Sequence, residues 1–100
     1  MQIGTVIGNV WATRKEERLQ GLKFLIVQPE HPNGSAIGPA FVAVDRIGAG
    51  VGDRVMVTKG SPAANITPDL QLPIDALIVG IVDSIDVERG AELVQSNWND

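Results

Sequence analysis

Apolar residues alternate with polar or small ones along five short stretches of this chain, with turn-forming residues between them. The stretches run from Gln2 to Thr13, Gly21 to Gln28, Ala40 to Asp45, Asp53 to Lys59 and Ala76 to Glu88. A period of two sends successive side chains to opposite faces, which predicts strands. The residue types agree: Val and Ile together number 22, against 7 Leu. Such β-branched side chains are stiff at χ1 and sit well on a pleated surface. Pro29, Pro32, Asn33, Gly34, Gly38 and Pro39 mark a loop after the second stretch. Arg14-Lys15-Glu16-Glu17-Arg18 is too brief for an independent helix and predicts a solvated hairpin tip. One short helix is expected: Ser61 can cap, Pro62 suits the first helical position, Ala63-Ala64 propagate and Asn65 can close. A second helical turn is expected near Pro73-Ile74-Asp75-Ala76.

The alternation is imperfect. On the first strand Val6 and Val10 should share a face with Gly4, Gly8 and Ala12, while Ile3, Ile7 and Trp11 share the other. On the second, Leu22, Phe24 and Ile26 oppose Leu25 and Val27. Strands apolar on both faces normally lie in sheets covered by helices, and no predicted helix here is long enough to cover one. The second face therefore points to another subunit, with a hydrophobic loop folding back as the alternative. Ile3, Ile7 and Trp11 are candidate outer-face contacts, joined by Trp98 as an aromatic anchor near the C-terminus. Five strands with one or two short helical turns predict an all-β domain, a small OB-like closed barrel. The barrel should occupy residues 1–90, and 91–100 form a tail.

Composition sharpens this picture. One hundred residues suit one domain, which hides only about two-thirds of the surface its unfolded chain exposes. Small domains add disulfides, metals or partner subunits. There is no cysteine and only one histidine, His31, so oligomerisation is the most open route. A net charge of −4, from 8 basic and 12 acidic residues, opposes attraction to nucleic acid or anionic lipid. No stretch reaches the ~18 apolar residues of a membrane helix, and the N-terminus lacks a basic segment followed by an apolar run. A soluble intracellular protein is expected.

Gly48-Ala49-Gly50-Val51-Gly52-Asp53 looks at first like a phosphate-binding loop. That chemistry needs a helix after the glycines, whose N-terminus faces the anion. The residues after Asp53 are instead Arg54-Val55-Met56-Val57-Thr58, a strand pattern, and Lys59 precedes Gly60 rather than Ser or Thr. The nucleotide reading fails. Alternating glycines suggest a loop lying close against something, such as a subunit contact or a rotation axis. Catalytic sets are weak. His31 lies in a Pro-Glu-His-Pro-Asn-Gly turn and reads as an exposed loop residue. Asp83 with Asp86, or Asp69 with Asp75, could pair for acid–base work, but nothing sets them apart from solvated carboxylates. Asp83 interrupts an apolar run and is expected to be half-buried, with a structural role. A stacking site for single-stranded nucleic acid would need a basic groove, and the charge has the wrong sign. No cofactor and no metal is implied.

Taken in order, several segments resemble the EutN/CcmL proteins, the vertex proteins of bacterial microcompartment shells. They are Gly8-Asn9-Val10-Trp11-Ala12-Thr13-Arg14-Lys15 and Leu19-Gln20-Gly21-Leu22-Lys23-Phe24-Leu25-Ile26-Val27-Gln28, then Ala43-Val44-Asp45-Arg46-Ile47-Gly48-Ala49-Gly50-Val51-Gly52-Asp53, Gly60-Ser61 and Pro73-Ile74-Asp75-Ala76-Leu77-Ile78-Val79-Gly80-Ile81-Val82-Asp83. The resemblance implies an OB-like barrel that assembles as a homopentamer without enzymatic activity. It also implies a place in the shell of a cytoplasmic microcompartment, carboxysome or metabolosome, beside hexagonal shell proteins. Gly48, Ala49, Gly50, Val51, Gly52, Asp53, Gly60 and Ser61 become candidates for the subunit interface or five-fold axis. Family members often carry arginine where this chain has Ala64, so any contact that arginine makes is absent or replaced. The rival reading is a small OB-type binding module; an enzyme comes third.

Overall fold

The computed structural model of the protein describes residues 1–11, 21–60 and 75–88. Five strands form one closed barrel: β1 (Gln2–Val10), β2 (Lys23–Glu30), β3 (Phe41–Asp45), β4 (Arg54–Lys59) and β5 (Ala76–Ile81), in the order β1-β2-β3-β5-β4. Every neighbouring pair is antiparallel except β3 with β5. No helix occurs among the described residues. The helix expected at Ser61–Asn65 and the hairpin tip at Arg14–Arg18 fall outside them. Of the second expected turn, Asp75 is a bend and Ala76 begins β5.

The interior is a strip of alternate residues from each strand: Val6, Leu25, Val27, Ala43, Val55, Val57, Ala76 and Ile78, all buried. Antiparallel partners directly opposite each other share a face, so the registers identify the walls. Val6 with Val27, Leu25 with Ala43 and Val57 with Ile78 point inward. Of the described glycines, Gly4 meets the closest packing. A Cβ there would lie 2.6 Å from both the Gln28 carbonyl oxygen and Val27 Cγ1; only a residue without a side chain fits.

Two registers slip, and one overturns an expectation. Between Val6 and Gly8 the pairing with β2 advances by a residue, leaving Ile7 as a β-bulge. Beyond it Gly8 opposes Ile26 and Val10 opposes Phe24, both outer residues. Gly8 and Val10 therefore leave the face of Gly4 and Val6, contrary to simple alternation. On β5 the skipped residue is Val79, between the Met56–Gly80 and Val57–Ile78 pairs.

Strand ends also differ from the pattern. Residues 82–88 are not strand, although Ala76 to Glu88 reads as one run. Val82 donates to the Arg54 carbonyl at 2.8 Å, and there the partner strand β4 begins, so the ladder has nothing further to bond. Conversely β2 continues through Pro29 to Glu30, because Gly4 and Ile3 of β1 pair with them. Proline is tolerated there because β3 ends its pairing at Val27; on that side only the isolated Glu30–Ala36 bridge continues, in which Pro29 accepts from Ile37 N at 2.8 Å and needs no N–H of its own.

Candidate functional site

The chain between β3 and β4 is built as a plug for the barrel end. Asp45, the last residue of β3, is buried, and its carboxylate accepts the N–H groups of Ile47 at 3.1 Å and Gly48 at 3.2 Å. Lys23 stands opposite it in the β2–β3 register, with Nζ 3.7 Å from Asp45 Oδ2, and also donates to the Ala49 carbonyl. At the far end, Asp53 Oδ2 accepts from Gly50 N at 2.9 Å while Asp53 N donates back to Gly50 O at 3.0 Å. Gly48 and Gly52 turn the chain with φ of 93° and 94°, a region that disfavours residues bearing a Cβ. Held from both ends, the loop drives Ala49 wholly into the core cluster.

This arrangement decides the phosphate question on structural grounds. The N–H groups of Ile47, Gly48 and Gly50 are bonded to the chain's own carboxylates, and that of Gly52 donates to Val6 O at 2.8 Å. An anion would meet the Asp45 and Asp53 carboxylates that hold these donors rather than a cradle of N–H groups, and Asp53 leads directly into a strand.

The glycines themselves touch little within the protomer. A Cβ built at Gly48, Gly50 or Gly52 would meet nothing within 4 Å. The close neighbour that alternating glycines suggested is thus not another part of the described chain; within the protomer it is Ala49 that packs. Arg46, Ile47, Val51 and Gly52 are exposed, Val51 to 60%. Gly52 and Asp53 together bond both backbone groups of Val6, Val6 N donating to Asp53 O at 2.9 Å, which sets the exposed bulge residue Ile7 beside the loop. Trp11, just past β1, is 90% exposed. Ile3 lies half-buried on the outer wall. Gly60 is exposed, with its N–H donating to Asp75 O. Ser61 and Trp98 fall outside the described residues.

The groups considered for catalysis are scattered. Asp83 is exposed, so the half-buried role expected for it is not met; it stands beyond the end of β5, past the ladder. Asp86 lies in the same non-strand stretch. Asp75 is exposed and Asp69 is outside the described residues. His31 is half-buried rather than exposed, in a turn closed by its N–H to Ser35 O and by Gly34 N to its own carbonyl, both 2.8 Å. No group of three His, Cys, Asp or Glu residues that could hold a metal occurs among the described residues. Sequence reasoning missed Lys23 and Asp45 as the pair that fastens the loop; a charge at each end of apolar strands was the available signal.

Comparison with known proteins places this barrel. Residues 1–83 match the family described as "Ethanolamine utilisation protein EutN/carboxysome". The chain is 41% identical over 89 residues to the carboxysome shell vertex protein CcmL of Synechococcus elongatus, covering 89% of this chain and 90% of that one. It is 34% identical over 85 residues to the microcompartment shell vertex protein EutN of Escherichia coli, covering 85% and 90%. Among solved structures it superposes with a TM-score of 0.78 on the GrpN pentameric microcompartment shell protein from Rhodospirillum rubrum, at 40% identity over 88% of this chain and all of that one. A five-stranded closed barrel, a plugged glycine loop and this likeness over most of its length agree: the chain belongs to the EutN/CcmL family of microcompartment shell vertex proteins.

Proposed function

We propose that five copies of this chain form a ring that caps the five-fold vertices of a bacterial microcompartment shell in the cytoplasm, its edges meeting hexagonal shell proteins. The likeness to a pentameric shell protein at 40% identity carries the reading. The role is structural: relatives are named as shell vertex proteins. Geometry supplies the need, because a sheet of hexagonal units stays flat and closes only where five-fold units are inserted. Gly48 to Asp53, with Gly60 and Ser61, lies at the subunit contact or near the axis. Supporting this, the loop carries exposed Ile47 and Val51 on a backbone fixed from within, and nothing in the described protomer fills the space beside its glycines. Ile3, Ile7, Trp11 and Trp98 add outer apolar contacts.

The test is the native mass of the purified protein by light scattering or native mass spectrometry. A mass of five chains is expected. A stable monomer would refute the ring and leave a small binding barrel as the reading.

A further inference from the structure

The loop between β2 and β3 carries a chemically reactive dipeptide. Of the five asparagines in the chain, Asn33 alone is followed by glycine. Both residues are exposed. The Asn33 side chain curls over its own backbone: Oδ1 accepts the Ser35 N–H at 2.9 Å and the Ser35 hydroxyl at 2.7 Å. A backbone N–H can only donate, so the atom it meets is the amide oxygen. An asparagine bonded to the N–H two residues on forms an Asx-turn, which brings the side-chain carbon toward the nitrogen between them, that of Gly34. Glycine has no Cβ to obstruct an approach to that nitrogen. The two donors on Oδ1 also sit where negative charge would develop if the nitrogen attacked.

We propose that Asn33 is a site of spontaneous deamidation through the Gly34 backbone nitrogen, assisted by Ser35. Gly34 N gives up its proton to solvent base and bonds to Asn33 Cγ, and the carbonyl π pair moves onto Oδ1 between the two Ser35 donors. When that pair returns, the Cγ–Nδ2 bond breaks and the nitrogen leaves as ammonia, taking a proton from solvent. The product is a cyclic succinimide. Water then adds to either ring carbonyl and opens the ring, leaving aspartate or isoaspartate. One water is consumed, one ammonia is released, and nothing is oxidised or reduced. Position 33 gains a negative charge. The Gly34 N–H donates to the His31 carbonyl at 2.8 Å. This exposed turn bond must open before the attack, so the folded protein reacts more slowly than the unfolded chain. The base of the loop is tied without Asn33, by Ile37 N to Pro29 O at 2.8 Å and Gln28 Nε2 to Gly38 O at 3.1 Å, so the modified chain stays folded.

The test follows the purified full-length protein, in whatever assembly it forms, through a time course in neutral buffer. Peptide mass mapping with chromatographic separation distinguishes asparagine, aspartate and isoaspartate at position 33. Conversion at Asn33 is expected, with Asn9, which precedes valine, left intact. Ser35→Ala removes one of the two donors and is expected to slow conversion by about 2-fold to 10-fold. Ser35→Thr keeps a hydroxyl and should restore the rate. The same three chains are followed in denaturant, where the turn is lost and all should convert alike. Asn33 left intact in the folded protein over a period in which the unfolded chain converts overturns the proposal. Ser35→Ala converting as fast as the unaltered protein when folded, or slowing equally in denaturant, overturns the role given to Ser35.

Discussion

Replacing Gly50 by valine separates what the glycine loop does for the protomer from what it does for the ring. Within the protomer the branch point of the added side chain has room: a Cβ at Gly50 meets nothing within 4 Å, and its φ lies outside the left-handed region. Its N–H to Asp53 and its carbonyl from Asp53 N involve only backbone atoms at position 50 and survive the change. A substitution of this kind costs a folded monomer about 0.5 kcal/mol or less. For a domain of this length that is a melting shift of under about 4 °C. The ring is different. With the loop at the proposed subunit contact, overpacking costs about 1–3 kcal/mol, which weakens each contact by roughly 5-fold to more than 100-fold. Five identical contacts repeat the penalty five times, for a total of about 5–15 kcal/mol per ring. Native mass spectrometry over a dilution series reads the ring, and thermal unfolding of the dissociated chain reads the fold. Monomers with nearly unchanged melting are expected. A Gly50→Val protein that still forms the ring at the dilutions the unaltered protein tolerates would refute the placement of this loop at a crowded contact.

Three further substitutions test the protomer. Gly4→Ala forces a methyl group to 2.6 Å from the Gln28 carbonyl and Val27 Cγ1, and should lower stability by about 1–3 kcal/mol or more in chemical denaturation; an unchanged midpoint would contradict the packing at that site. Leu25→Ala empties part of the fully buried core and should cost about 2–5 kcal/mol by the same measurement. Asp45→Ala removes the acceptor of the Ile47 and Gly48 N–H groups and the partner of Lys23, at about 2–4 kcal/mol from two charge-assisted bonds. Hydrogen exchange should quicken at Ile47 and Gly48 while the β1–β2 ladder stays protected; loop amides exchanging at the unaltered rate would show that Asp45 does not hold them.

The sequence by itself determined the class of this protein. Period-two patterning, β-branched residues and turn-formers are local signals, and they located all five strands. The same locality excluded a phosphate loop, since Arg54 to Thr58 reads as a strand whatever surrounds it. Family membership was legible too, in the order of short motifs from Gly8 to Asp83. Tertiary structure decided what depends on a distant partner. Ile7 is a bulge only because Val6 and Gly8 take up consecutive places along β2, and that slip moved Gly8 and Val10 to the outer wall. Strand β5 ends at Ile81 because β4 begins at Arg54. Asp45 fastens the glycine loop because Lys23, distant in sequence, arrives opposite it across a ladder. Ala49 reads as one more small loop residue in the sequence, yet it closes the barrel. Side-chain period is set by the steric preferences of neighbouring residues; register, bulges and plugs are set by which strand lies alongside, and only the closed barrel fixes that.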